Sequence, residues 1–382
     1  MNSRNVMKRM SAISLFTGAG GMDIGVTGAG FDVLACFELD RHCCDTLRTN
    51  IVRENRRTKV FEGDVRNANP EEIRKEVGLV RGELALLFGG PPCQPFSQIG
   101  KQGSLSDPRG LLIFELIRFA EALRPKAILF EQVKGLMTAP DQKGRRGGVF
   151  DLVLSKLEDI DYVPKWRVIK AADFGVPQLR ERVFIVATEK PNGFEFPSPT
   201  HGPEDRVDSL FPLMPYVTVD EAIRDLGKPG KKIKSGKLRE DSHVDVTPKR
   251  EIERMQGVPE GSYLGAQLHL PKDQVMNLKL KDSTKFRRLA RNKASNTLRC
   301  GEIFFHPIKD RYLTPREYLR LHGYPDSYVL KGPIRRRTGT VRDLDQHRQV
   351  ANSVPPPVAR AIAQQIVKVI TCRKSTNSLV TA

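Results

Sequence analysis

Ala12-Ile13-Ser14-Leu15-Phe16-Thr17-Gly18-Ala19-Gly20-Gly21-Met22-Asp23 reads as a short buried strand, Ala12 to Phe16, then a glycine turn, then a helix start that runs from Met22 to Val26. Strand, glycine turn and helix in that order form the first unit of a nucleotide-binding α/β sheet, because the turn lets a ligand approach the backbone at a helix N-terminus. The three-glycine dinucleotide pattern is incomplete, since Asp23 stands in the place of its third glycine. Phe31 to Phe37 reads as the second strand and ends at Glu38. An acid at that strand end, about 20 residues past the turn, is placed to accept hydrogen bonds from ribose hydroxyls; the plainer alternative is a surface acid.

The alternation continues. Arg41 to Asn50 reads as a helix capped by Asp40. Val60 to Asp64 gives a third strand whose Asp64 either hydrogen-bonds an adenine amino group or caps the next turn. Leu84 to Phe88 is the fourth, followed by Gly89-Gly90-Pro91-Pro92-Cys93-Gln94-Pro95-Phe96-Ser97. Two glycines turn the chain and two prolines stiffen it, so Cys93 is presented on a rigid loop at the carboxyl end of a strand, where open α/β sheets bind ligands. Asp107-Pro108 opens a helix over Arg109 to Leu123. The fifth strand, Ala127 to Phe130, delivers Glu131-Gln132-Val133. A helix over Val149 to Ile160 and strands over Trp166 to Ala171 and Val183 to Ala187 follow. Gln178, Arg180 and Arg182 alternate, so on a strand they form one face of hydrogen-bond donors.

From Lys190 the pattern breaks at prolines 191, 197, 199, 203, 212 and 215, and a basic, irregular segment runs to about 330. A short helix is expected at Arg250 to Gly257. Thr314-Pro315-Arg316-Glu317 is a helix start with a capping box, and Gly323 is its stop. Gln349 to Val354 precedes three prolines and a final helix, Val358 to Ile370. Its Val358, Ile362, Ile366 and Ile370 stand one turn apart and should pack on the main domain. The expected fold is α/β: a Rossmann-like sheet over 1–190, completed by 335–382, with a second, smaller irregular domain over 191–334.

The 382 residues are 39% hydrophobic and 28% charged, as in a soluble globular protein, and no apolar run is long enough to span a membrane. The stretch from Ala12 to Phe16 is too short for a signal-peptide core, which points to the cytoplasm. The six cysteines form no Cys-x-x-Cys pair and no zinc spacing with histidine, so no structural metal is expected. A net charge of +18 in dispersed basic clusters suits a folded groove that meets a polyanion.

Taken together, these residues resemble the DNA cytosine-5 methyltransferases of bacterial modification systems. The ordered match runs through Phe16 to Gly21, Glu38, Asp64, Pro92-Cys93-Gln94, Glu131-Gln132-Val133, Gln178 to Arg182, Arg311 to Tyr328 and Gln349 to Pro356. It covers about residues 11–190 and 290–370. One departure is visible: Gln132 replaces the family's usual asparagine.

The resemblance implies methyl transfer from S-adenosylmethionine to carbon 5 of a cytosine flipped out of double-stranded DNA. In that scheme Cys93 adds to carbon 6 and Glu131 serves ring nitrogen 3, while Arg182, supported by Arg180 and Gln178, holds the ring oxygen. Phe16, Gly18, Gly20, Glu38, Asp64, Pro92 and Asn352 form the cofactor site. The resemblance also implies a monomer without metal or membrane, paired with a restriction endonuclease or acting alone. On this reading Gln132→Asn keeps or modestly raises activity.

Three rivals are weighed. A nicotinamide-dependent dehydrogenase would use Glu38 but has no need of Cys93 or the paired arginines. A catalytically inactive DNA-binding relative fits poorly with Cys93, Glu131 and Arg182 all present. The same chemistry on RNA fits less well with a recognition segment of about 100 residues.

Overall fold

The computed structural model describes residues 10–92, 110–189, 193–203, 212–231, 240–266, 286–301, 303–335 and 343–377. Cys93 to Ser97 and the Asp107-Pro108 helix start lie outside them.

A seven-stranded sheet is built from β1 (Met10–Leu15), β2 (Phe31–Glu38), β3 (Lys59–Glu62), β4 (Leu86–Gly89), β5 (Ala127–Gln132), β6 (Tyr162–Lys170) and β7 (Glu181–Glu189). Its order is β3-β2-β1-β4-β5-β7-β6. The first five strands run parallel, and β7 is antiparallel to both β5 and β6. The chain reverses between β1 and β4 in this order, which opens a crevice at the carboxyl ends of those strands.

Helices α1 (Gly21–Gly28), α2 (Arg41–Arg53), α3 (Pro70–Glu76), α4 (Ile113–Leu123) and α5 (Gly148–Asp159) connect the strands. The side chain of Asp40 accepts from Cys43 N and caps α2 as expected. The α3 helix is additional to the sequence expectation, although Asn69-Pro70 carries its cap and first-turn proline. The strand β6 starts at Tyr162, four residues before the expected Trp166, because it pairs along the full length of β7.

Alternation along each strand feeds two cores. Leu87, Ile13, Ile128 and Phe130 face Leu116, Phe119 and Val153 of α4 and α5. Leu86, Phe88, Ala12 and Leu129 face Val26 of α1 and the last helix. That helix, α10 (Pro356–Asn377), follows α6 (Val219–Ile223), α7 (Lys249–Met255), α8 (Pro315–Leu321) and α9 (Gln346–Asn352). The predicted stripe Val358, Ile362, Ile366 and Ile370 is buried against the sheet and α1. Truncating Ile362 to alanine there costs about 2–5 kcal/mol.

A third core joins α6, α8 and α9 with Leu289, Leu298, Phe305 and Tyr312. It reaches Ala19 in the glycine turn, so the segment after residue 212 is packed onto the carboxyl end of the sheet. The capping box at Thr314 and Glu317 forms as read, and Gly323 leaves the helix at φ +76°.

Candidate active site

Strand register sets the site. Leu15 pairs with Phe37 and with Gly89, and Gly89 pairs with Phe130. The next residue on each strand, Phe16, Glu38, Gly90 and Glu131, therefore falls in one row at the carboxyl edge. A cleft opens there. It is lined by Ser14 to Gly18, Met22 and Asp23 on one side, Phe88 to Gly90 and Glu131 on the other, and Asn352 to Val354 across the mouth.

The turn is held in an unusual shape. Phe16 has φ +55°, uncommon for a residue with a side chain, between flanks fixed by hydrogen bonds. Thr17 N donates to Phe37 O at 3.0 Å, and Gly20 N to Thr17 O at 3.0 Å. Glu38 accepts from Gly18 N at 2.6 Å through one oxygen, and from Leu39 N and Asp40 N at 2.8 Å through the other. Burial raises its pKa, and these backbone donors oppose the rise. Three bonds leave its Oε2 with a free lone pair, which is what a ribose hydroxyl requires.

Asp23, which the sequence marks only as a break in the glycine pattern, is buried in the cleft wall and accepts from Ser14 Oγ at 3.1 Å. Burial pushes its carboxyl up to about 7, against the pull of Arg56 and Ser14.

Across the cleft, Glu131 Oε1 stands 3.1 Å from Arg182 Nε. Arg182 meets this buried oxygen as an ion pair, at the sheet edge where burial is otherwise costly for a carboxylate. Burial raises the Glu131 pKa, while Arg182 and Arg180 lower it. A Cβ on Gly90 would come within 3.1 Å of Glu131 Oε2, so the glycine brings the proline loop up against the acid. Gln132 Nε2 donates to Pro91 O at 2.9 Å, and its Oε1 accepts from Val133 N at 2.9 Å. The longer amide thus ties the loop that leads to Cys93 onto β5.

The expected donor row divides. The strand β7 begins at Glu181, after Gln178 and Arg180, so the three side chains do not converge. Arg182 faces Glu131, whereas Arg180 donates to Ala351 O at 3.1 Å and Ser353 O at 3.0 Å. Gln178 donates to Leu321 O at 3.1 Å and accepts from Leu298 N at 3.0 Å. His322 Nε2 meets Ser353 O at 2.9 Å and must be the donor there, which leaves Nδ1 to accept from Gln178 Nε2 at 3.0 Å. Burial, then Arg180, keeps the His322 pKa well below its usual value, consistent with this neutral ring.

Asn352 ends α9 at the cleft mouth and accepts from the Cys300 thiol. Asp64 caps the turn after β3 and pairs with Arg66, one strand over from Glu38 and outside the cleft lining. Pro92 is half-buried beyond Gly90, and Cys93 lies outside the described residues. Among the described residues no cluster of His, Cys, Asp and Glu is arranged to hold a metal ion, and no helix is long and apolar enough to cross a membrane.

The family model for C-5 cytosine-specific DNA methylases matches residues 10–368. The chain is 31% identical over 374 residues to the type II methyltransferase M.NgoFVII of Neisseria gonorrhoeae, covering 96% of this chain and 89% of that protein. It is 40% identical over 226 residues to the type II methyltransferase M.AquIA of a Picosynechococcus strain, covering 56% of this chain and 88% of that one. Among solved structures, a putative DNA modification methyltransferase encoded within an E. coli prophage matches with a TM-score of 0.67 at 24% identity, covering 95% of this chain and 99% of that one. At that identity the likeness concerns the fold.

Proposed function

We propose that this chain, which belongs to the C-5 cytosine-specific DNA methylase family, transfers a methyl group from S-adenosylmethionine to carbon 5 of a cytosine turned out of duplex DNA. It would act as the modification enzyme of a restriction-modification pair or as a solitary methylase, in the cytoplasm where the DNA is. The observation that supports this most is the pairing of buried Glu131 with Arg182, with Gln132 bonded to Pro91 in the segment that leads to Cys93.

The cleft suits the cofactor. Phe16 offers an aromatic face and Glu38 a spare lone pair near the turn. Bound there, S-adenosylmethionine supplies an electrophilic methyl on a sulfonium. Gly18 and Gly20 shape the turn beneath it. Asn352 and Pro92 bound the site, and Asp64 reaches the adenine only by exchanging its Arg66 partner.

The chain's own groups carry the remaining chemistry. The Cys93 thiolate forms a bond to carbon 6 of the cytosine, and negative charge moves onto the ring. Glu131, kept protonated more readily by burial, donates to ring nitrogen 3 and relieves that charge. Arg182 neutralises Glu131 when it ionises and donates to the ring oxygen at position 2. Carbon 5 is thereby made nucleophilic. After methylation a base, for which water is the candidate, takes the carbon 5 proton as the bond to Cys93 breaks and the thiolate is regenerated. Arg180 and Gln178 act as frame, pinning the 351–353 and 298 segments around the cleft. Residues 191–334 read the target sequence, and 1–190 with 335–382 form the catalytic body.

The test is methyl-label transfer from S-adenosylmethionine to duplex DNA and to transfer RNA, with the product base identified. Label in DNA as 5-methylcytosine supports the proposal. Label in RNA alone, or DNA binding without transfer, overturns it in favour of the RNA or the inactive reading.

A further inference from the structure

Two buried phenols converge on one carbonyl of the glycine turn. Tyr328 Oη donates to Ala19 O at 2.8 Å and Tyr324 Oη to the same oxygen at 3.2 Å. Both residues are buried, and their rings pack 5.1 Å apart. Burial holds both hydroxyls protonated, so both remain donors. Ala19 is itself fully buried between Gly18 and Gly20, where its carbonyl has no access to water and needs a protein donor. Gly20 and Gly21 provide the clearance. A Cβ at Gly20 would stand 2.9 Å from Tyr328 Oη, and one at Gly21 would stand 2.7 Å from Tyr324 Oη. These two glycines thus admit the tyrosines as well as any ligand.

The segment bearing the tyrosines is pinned from two sides. Arg316 NH2 donates to Tyr328 O at 2.7 Å and its Nε to Asp241 O at 2.7 Å. Asn50 of α2 brackets Val329 with two bonds, at 2.7 and 3.0 Å.

We infer that Tyr324 and Tyr328 are positioning residues for the cofactor: their hydroxyls fix the Ala19 carbonyl, and so the shape of the turn from Phe16 to Gly21 that receives S-adenosylmethionine. The segment that follows the helix from Thr314 then serves the cofactor site. This inference rests on the S-adenosylmethionine reading above.

Because two donors share one acceptor, their losses are not independent. Each single Tyr→Phe leaves the carbonyl with a donor, and only the double variant orphans it. Each single change should weaken S-adenosylmethionine binding by about twofold to fivefold, and the double change by more than the product, on the order of 30-fold or beyond. The experiment measures cofactor Kd by calorimetry, kcat at saturating cofactor, and amide exchange of residues 17–24 without cofactor, for wild type, both singles and Tyr324→Phe/Tyr328→Phe. Faster exchange confined to the turn, a raised Kd and KM for cofactor, kcat within about twofold and an unchanged KM for DNA are the expected results. Unchanged exchange and Kd in the double variant overturn the inference. So does a uniform rise in exchange with DNA and cofactor affected alike, which marks general destabilisation. A wild-type protein that binds no S-adenosylmethionine overturns the cofactor reading, and the exchange data then still decide whether the phenols hold the turn.

Discussion

Arg182 Nε lies 3.1 Å from Glu131 Oε1, and both side chains are largely enclosed at the sheet edge. This pair sets the charge of the site: burial favours protonated Glu131, and the guanidinium limits how far that preference goes. Glu131→Gln keeps the shape and removes the proton carrier. Turnover should fall by about 10²–10⁴-fold with cofactor binding little changed. In the wild type kcat should decline as pH rises through the raised Glu131 pKa, and that limb should vanish in the variant. Steady-state rates across pH check this.

Gln132 bridges two chain segments, with Pro91 O on its nitrogen and Val133 N on its oxygen, each at 2.9 Å. The sequence resemblance alone favours asparagine here, but the structure reverses that expectation. Asparagine is one methylene shorter and cannot hold both partners in place. Gln132→Asn should therefore lower kcat by about threefold to 30-fold, the consequence of a buried carbonyl losing its donor. Gln132→Leu, which loses both bonds, should fall further. Single-turnover rates at saturating DNA and cofactor separate these outcomes.

Asp23 gives a stability signature. Its carboxyl is pushed from 3.8 to about 7, chiefly by burial. Between those values the folded protein holds a proton that the unfolded chain has released, so stability falls as pH rises through this window and levels off above it. Asp23→Asn removes that slope. Its Tm relative to wild type should rise from pH 5 to pH 8, by the equivalent of up to roughly 3 kcal/mol. Parallel wild-type and variant Tm profiles would contradict this.

Two glycines in the turn should respond differently. A Cβ at Gly18 meets nothing within 4 Å, so Gly18→Ala bears only the backbone cost of its φ of +56°, about 1–2 kcal/mol. A Cβ at Gly21 would lie 2.2 Å from Val354 O, backbone that cannot swing aside. Gly21→Ala should cost about 3 kcal/mol or more and separate α1 from the segment before α10. Denaturant unfolding of the two variants ranks them.

The parallel strands are legible because each is a short apolar run closed by a polar or glycine residue, and Glu38 and Glu131 follow from that rule alone. The α10 stripe was legible for the same reason, a strict one-turn period. Asn69-Pro70 is a readable cap for α3, with Asn69 accepting from Glu71 N and Pro70 opening the helix. The split of the donor row was not legible, because the start of β7 depends on where Gln178 and Arg180 find carbonyls more than a hundred residues away. Nor were the tyrosines, whose acceptor lies 305 and 309 residues off. The described parts of 240–310 resist reading because side chains bonded to backbone hold them, as Arg288 does with Met255, Val258, His306 and Lys309, and no hydrophobic period repeats.

The central claim is that Cys93 drives methylation of cytosine carbon 5 in DNA. Bisulfite sequencing of DNA from cells producing the wild-type chain or Cys93→Ser tests it most directly. Cytosines within one short recurring sequence should be protected by the wild type, and none by the variant. Equal protection in both, or no protected cytosine with the wild type, would contradict it.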